Sequence, residues 1–361
     1  MMILSGKRVL FFILVLFFPP WTSISGAPVS GEWSTLFCEF SSMDPSLLMQ
    51  QDLRLEFRDS LLPGLELDYA AKMIMEASSP ALPVKEIEYR LFARREEELI
   101  HGDGYRLLYD TSQLSVSAYS DGAEVIIGRQ VIAWGASKIT NPTDLFAPVS
   151  LRDFERDVRN GVDSIRLRIP TGMVSEVDLG AVAEKRGSST GASVFGRVAF
   201  SLGKSDGSLL YVYTGEKHFT GADLTGYMGQ AGFWLEGGIF WERETDKGTA
   251  GAMSAGIEGH LTPSLYAAME LLWAHSCYPI PSFREAGVEN SKTASLLINL
   301  TRGLVTFYAK AVAGLEQREY IWLLQGDYNI KENTYAQIGS MIVKQEQSDR
   351  RSSFLALKIY F

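Results

Sequence analysis

The chain has 361 residues, a formal net charge of −9, and 46% hydrophobic, 11% aromatic and 21% charged residues. The acidic balance argues against a nucleic-acid partner, and the hydrophobic share is no larger than a water-soluble domain carries. No segment reaches the ~18 to 20 apolar residues that a membrane-spanning helix needs, and no linker or low-complexity tract divides the chain.

At the N-terminus, Lys7 and Arg8 precede an unbroken apolar run from Val9 to Phe18, which Pro19 and Pro20 end. A basic start, a short apolar run and small residues at Ser23 and Ser25 read as a secretory signal peptide over residues 1–25, cleaved before Gly26. In the next stretch, Glu32 to Phe37 suits a further strand, a plug or a tail. We assign residues 26–50 as an N-terminal periplasmic segment or plug, and residues 51–361 as one domain.

From Leu53 onward the dominant signal has period two, the pattern of a strand with one apolar and one polar face. Leu53, Leu55 and Phe57 alternate with Arg54, Glu56 and Arg58. Leu65, Leu67, Tyr69, Ala71 and Met73 oppose Glu66, Asp68 and Lys72. Ile87, Tyr89 and Leu91 oppose Glu88, Arg90 and Arg94. Further on, Ile165, Leu167 and Ile169 oppose Arg166 and Arg168, and Val177 and Leu179 oppose Glu176 and Asp178. Pro63-Gly64, Asp121-Gly122 and Arg302-Gly303 punctuate the runs as turns. At the end, Leu355, Leu357, Ile359 and Phe361 share one face, and Phe354, Ala356, Lys358 and Tyr360 the other.

An export signal, alternating strands and a terminal aromatic together predict an all-β fold: a transmembrane antiparallel β-barrel of about 18 strands in a Gram-negative-type outer membrane. A misread strand pair within residues 79–104 would reduce the count to 16. The apolar set then faces lipid and the charged set lines a wet lumen. In this topology Cys38 is periplasmic and Cys277 lies in an outer loop, so they are not expected to pair.

The densest motif is Gly128-Arg129-Gln130-Val131-Ile132-Ala133-Trp134-Gly135, followed by Asn141-Pro142-Thr143-Asp144-Leu145-Phe146-Ala147-Pro148 and by Gly161-Val162-Asp163. Over Leu114 to Ile169 it resembles a family of porin-like outer-membrane proteins of largely unknown function. In that family a "G-R-Q-x-I-x-W-G" strand runs into an "N-P-x-D-L-F-x-P" loop, and "G-V-D" begins the next strand. More distantly it is similar to alginate-export and phosphate-selective porins. The resemblance implies a barrel and an outer-membrane location; it brings no substrate.

The connection from Ala136 to Gly161 is long for neighbouring strands, and long loops usually carry function. Its Leu145, Phe146, Leu151 and Phe154 favour folding onto something, either inward across the mouth or against the outer rim. Arg129 shares a face with Val125, Ile127 and Val131, and an unpaired Arg in hydrocarbon costs about 2 to 4 kcal/mol. A bulge at Gly128 that turns Arg129 inward onto a lumen carboxylate is the favoured resolution. The candidate pore-lining or constriction residues are Arg54, Arg90, Arg129, Asp144, Arg152, Asp153, Glu155, Arg156, Arg166 and Arg168. Arg166 and Arg168 are read as cross-strand ion pairs or, more sharply, as anion contacts.

The four histidines (His101, His218, His260 and His275) form no dyad with a nucleophile in sequence, and no phosphate loop, zinc spacing or haem motif occurs. No enzyme activity, metal or cofactor is expected. The expected function is a passive channel for small solutes, anions among them; the alternative is a non-conducting barrel serving as scaffold, surface-binding protein or export-assembly component. Expected partners are outer-membrane lipid, small solutes and the barrel assembly machinery through the Phe361 strand, with homo-oligomerisation left open.

Overall fold

The computed structural model describes residues 29–40, 47–78, 97–102, 104–147, 159, 161–186, 189–215, 217–242, 249–275, 292–316, 319–345 and 348–361. The signal-peptide reading, the 87–93 run, Cys277, Arg90, Arg152, Asp153, Glu155 and Arg156 lie outside these residues. The strands are β1 (Val29–Phe40), β2 (Leu47–Leu62), β3 (Leu65–Ser78), β4 (Glu97–Gly102), β5 (Tyr105–Ser120), β6 (Ala123–Gln130), β7 (Val162–Pro170), β8 (Glu176–Arg186), β9 (Ser189–Leu202), β10 (Ser205–Tyr213), β11 (Lys217–Met228), β12 (Ala231–Glu242), β13 (Ala250–Thr262), β14 (Leu265–His275), β15 (Lys292–Arg302), β16 (Val305–Gly314), β17 (Tyr320–Lys331), β18 (Thr334–Gln345) and β19 (Ser348–Tyr360). All but the short β4 form a closed antiparallel barrel of 18 strands.

The alternation that defines the strands also fixes their two faces. Leu209, Tyr211, Leu235, Ile239, Met269 and Leu271 are exposed on the outside, whereas Leu210, Val212, Trp234, Glu236 and Glu270 point inward and are buried. Charged groups are inside and apolar groups outside, the inverse of a water-soluble sandwich and the arrangement a lipid solvent requires. Tyr211, Tyr213, Trp241 and Trp273 are exposed near one end of the wall, and Tyr227 and Tyr328 near the other. These two bands match the aromatic belts at the two membrane interfaces.

At one rim the strands are joined by tight turns. Gly64 (φ 78°) and Gly229 (φ 68°) adopt the left-handed conformation such turns need, and Asn333 (φ 62°) does so without being glycine. The longer connections lie at the opposite rim, as expected for the outer face.

Closure corrects the assignment of residues 26–50. Val29–Phe40 is a wall strand, neither plug nor tail, and Leu47 to Gln50 begin β2. Strand β1 pairs with β19 from Glu32↔Tyr360 to Phe40↔Ser352, and with β2 from Val29↔Phe57 to Glu39↔Leu47. Gly31 and Phe361 exchange two backbone hydrogen bonds of 2.8 and 3.0 Å at the short-turn rim. Glu32 to Phe37 hides this strand in sequence because its inward residues, among them Ser34 and Leu36, mix polar with apolar. Cys38 consequently lies toward the outer end of β1, buried, and is not periplasmic.

Strand β1 satisfies the edges of both β2 and β19, and in lipid an open edge leaves backbone groups without partners. Deleting residues 29–40 is expected to abolish the compact, fast-migrating form on unheated SDS gels, whereas a deletion confined to the 41–46 connection keeps it.

Candidate functional site

The chain leaves the wall after Gln130 and returns at Val162. Its described part, residues 131–147, folds inward as a strap. Ile132, Trp134 and Phe146 join one buried cluster with Phe195 of β9, Leu210 and Val212 of β10 and Phe219 of β11. Trp134 meets Phe146 and Phe195 edge-on, with ring centroids 5.5 and 5.0 Å apart. Ile139 packs in a second cluster with Val312, Ile321 and Val343 of β16, β17 and β18. The strap therefore crosses the lumen, which is the inward alternative of the sequence reading.

Two wall carboxylates hold it there. Glu236 of β12 accepts hydrogen bonds from the backbone N–H groups of Ala136 (2.7 Å), Ser137 (2.8 Å) and Thr143 (2.8 Å), and from the Thr143 hydroxyl (2.8 Å). Glu270 of β14 accepts from the N–H groups of Lys138, Ile139 and Thr140 at 3.0 to 3.2 Å. A strap without regular structure has backbone donors that need partners once buried; charged acceptors supply strong ones. Gly135 makes the close approach feasible. It has φ 100°, and a Cβ there would lie 2.6 Å from Glu236 Oε1.

Asp144 sits at the base of the strap, almost fully buried, and pairs with Arg159. Burial pushes its carboxyl up to about 7, and the adjacent guanidinium only partly offsets this. Asn141 and Pro142, singled out as a turn, carry a backbone hydrogen bond from Asp144 N to Asn141 O of 3.3 Å.

Arg129 behaves differently from its sequence reading. The β5–β6 and β6–β7 ladders run through Gly128 without a register shift, although Gly128 has φ 122°. The bulge lies one strand away, on β5 opposite Ala70 and Ala71. Arg129 keeps the side of Ile127, and Asp163, directly across on β7, keeps the side of Ile165. The pair lines a hollow of about 660 Å³ with Leu114, Ile127 and Ile165, all exposed on the outer wall. Arg129 Nε and Nη2 donate to Asp163 at 2.7 and 3.1 Å, and Nη1 donates to the Thr111 carbonyl at 3.0 Å. Arg129 thus avoids the cost of an unpaired charge by pairing within the wall, not by turning into the lumen.

The remaining described candidates line the lumen as ion pairs. Arg166 grips Asp178 with two hydrogen bonds of 2.9 and 2.7 Å. Arg168 bridges Glu124 (2.9 Å) and Glu176 (2.6 Å). Arg54 lies 2.7 Å from Glu56. Their ion-pair partners are all residues of the wall. Glu236 and Glu270 were missed as site residues. Their signal was a lone carboxylate on the inward face of an otherwise small or apolar strand, as in Leu265–His275.

The result is an outer-membrane-type transmembrane β-barrel of 18 strands with a strap folded into its lumen. No family model matches the chain, and no curated protein does. Solved structures match its fold. Pseudomonas aeruginosa OpdK with vanillate superposes with a TM-score of 0.64 at 9% identity, covering 92% of this chain and 98% of that one. Pseudomonas aeruginosa OccK2 (OpdF) in complex with glucuronate gives 0.64 at 9% identity, covering 93% and 98%. Acinetobacter baumannii OccAB4 gives 0.60 at 9% identity, covering 92% and 97%. The fold, a closed antiparallel 18-strand barrel, is shared over nearly the whole chain.

Two predictions follow from this geometry. Replacing both Glu236 and Glu270 by Leu leaves six backbone N–H groups without acceptors, each worth about 1–3 kcal/mol when buried. In a background with Cys38 and Cys277 changed to Ser, a cysteine at Ser137 is then expected to react with a water-soluble maleimide at least ~10-fold faster than with both carboxylates present. At the wall, Arg129→Met strands a buried Asp163 and is expected to cost about 3–5 kcal/mol. The temperature at which the unheated gel form is lost should fall, and adding Asp163→Leu should recover most of the drop.

Proposed function

We propose that the protein is a porin-like channel of the outer membrane for the passive passage of small hydrophilic solutes. One observation carries this reading: charged side chains on the inner face of β2 are open to solvent, and the described strap residues pack on the other strands. Arg58 and Glu56 are 75% and 47% exposed on the inner face. A lumen packed dry would leave neither accessible. Among the described residues, the strap's apolar clusters and anchoring hydrogen bonds lie on β7 to β18. The residues once assigned as a plug belong to the wall, which removes one support for a filled, non-conducting scaffold.

Porin folds at similar TM-scores add weight to the channel reading. The two structures solved with vanillate and glucuronate hold carboxylate-bearing molecules, which bears on the expected passage of anions. The strap, on this reading, narrows the passage, with Asp144 and Arg159 at its base.

The test is conductance. Purified protein in planar bilayers should give discrete current steps, and deletion of residues 145–157 should raise the step size. A barrel that never conducts would remove the channel reading; an unchanged step in the deletion would remove the narrowing role.

A further inference from the structure

We infer that the carboxylates of β2 and β3 set the charge selectivity of the passage by masking its arginines, so that the pore does not select anions. This rests on the channel reading above and specifies what such a channel admits. The inner face of β2, β3 and β5 carries Arg54, Arg58, Lys72 and Arg106, of which Arg58 is well exposed and the others are largely covered; alone they would favour anions. Each of the four on β2, β3 and β5 is held by a carboxylate on the same inner face. Arg54 lies 2.7 Å from Glu56, Lys72 lies 2.9 Å from Asp52, and Arg106 Nε donates to Glu76 at 2.6 Å. Arg58 pairs with Asp68. The adjoining arc repeats the pattern on β7 and β8 through Arg166 with Asp178.

The distances decide the electrical consequence. A lone guanidinium acts on a passing ion over roughly a Debye length, about 8 Å at physiological salt. With a carboxylate 2.6 to 2.9 Å away, the same guanidinium presents a dipole, whose field falls off faster with distance than that of a single charge. Three further inward carboxylates take hydrogen bonds from neutral donors: Glu66 from Tyr119, Asp223 from Ser208 and Asp327 from Gln325. Glu66 acts on Arg58, Asp223 on Arg197 and Asp327 on Lys358, so each adds a negative charge beside a lining cation. The solutes that suit such a lining are small zwitterions and neutral polar molecules. An ammonium and a carboxylate on one solute can each find an opposite charge within one wall pair.

Reversal potentials of the full-length protein in planar bilayers under a KCl gradient test this. The unmodified protein should reverse close to zero, displaced toward the K⁺ side. Glu56→Gln, Asp68→Asn and Glu76→Gln together unmask Arg54, Arg58 and Arg106, and the reversal potential should change sign toward Cl⁻. If the triple variant does not yield the compact gel form, Glu56→Gln alone should move the potential toward Cl⁻ and Arg54→Gln alone toward K⁺. Glu316→Gln, at the exposed Lys292 pair between β15 and β16, should leave it unmoved. A strongly Cl⁻-selective unmodified pore, or variants that leave the potential where it was, would overturn the masking role while leaving the channel intact. Absence of any current would instead overturn the channel reading and this one with it.

Discussion

The constraint on which the rest depends is that lipid offers the backbone no hydrogen bonds. Every strand edge at membrane depth must find a partner within the protein. Strand β1 exists for this reason: without its ladders to β2 and β19, two edges would face hydrocarbon. The same constraint explains the least regular part of the wall. Strands β6 and β7 are short because the chain leaves the wall to form the strap. Strand β5 is twice as long as β6, so one of its edges outruns its neighbour. Strand β4 covers that edge from Tyr105 to Tyr109. In the gap between, Gly161 N donates to Ser112 O at 3.0 Å, and Arg129 donates to Thr111 O. Arg129 therefore performs backbone satisfaction in the place of a missing strand, with Asp163 neutralising it.

The strap poses the mirror problem. It has no ladder of its own, yet its donors are buried among apolar side chains. Glu236 and Glu270 gather those donors into two groups of three N–H bonds each. The aromatic contacts of Trp134 and Phe146 supply apolar burial, and the carboxylates fix the position. A hydrophobic cluster alone is non-directional; two anions at fixed heights on β12 and β14 are not. The arrangement anchors the strap along its length, so loosening it requires losing several charge-assisted bonds together.

Much of the fold was legible in the sequence, for a physical reason. A wall with lipid on one side and water on the other imposes period two on nearly every strand, and runs such as Leu65 to Met73 carry it plainly. Strand β1 stayed open among strand, plug and tail because its inward face, including Ser34 and Leu36, packs against neighbouring wall residues and so mixes polar with apolar. Of the site, the inward loop and the cross-strand pairs of Arg166 and Arg168 could be anticipated from local pattern. The partners of the strap could not. Glu236 lies about a hundred residues from Ala136, and only closure of the barrel brings them together. The environment of Arg129 was misjudged because its missing element was a gap in a neighbouring strand, and the register around Gly128 reads the same whether or not that gap exists.

Arg129 and Arg166 show how one interaction serves two solvents. Both make two-point contacts with an aspartate on an adjacent strand. Arg166 faces the lumen, where its side chain is mostly covered and Asp178 is fully buried. Arg129 is on the lipid side, where screening is absent and all three of its terminal nitrogens are used within the wall. The same residue type in the same motif region therefore meets the lumen or the lipid according to the face it occupies, and that face is set by pairing register. A one-residue slip of β7 against its neighbours would turn Asp163 and Ile165 inward and Arg166 outward, leaving Arg129 on the lipid side without its partner and Arg166 in hydrocarbon. The bond between Arg129 and Asp163 is then itself a register lock, because it can form only when Gly128 lies opposite Ser164.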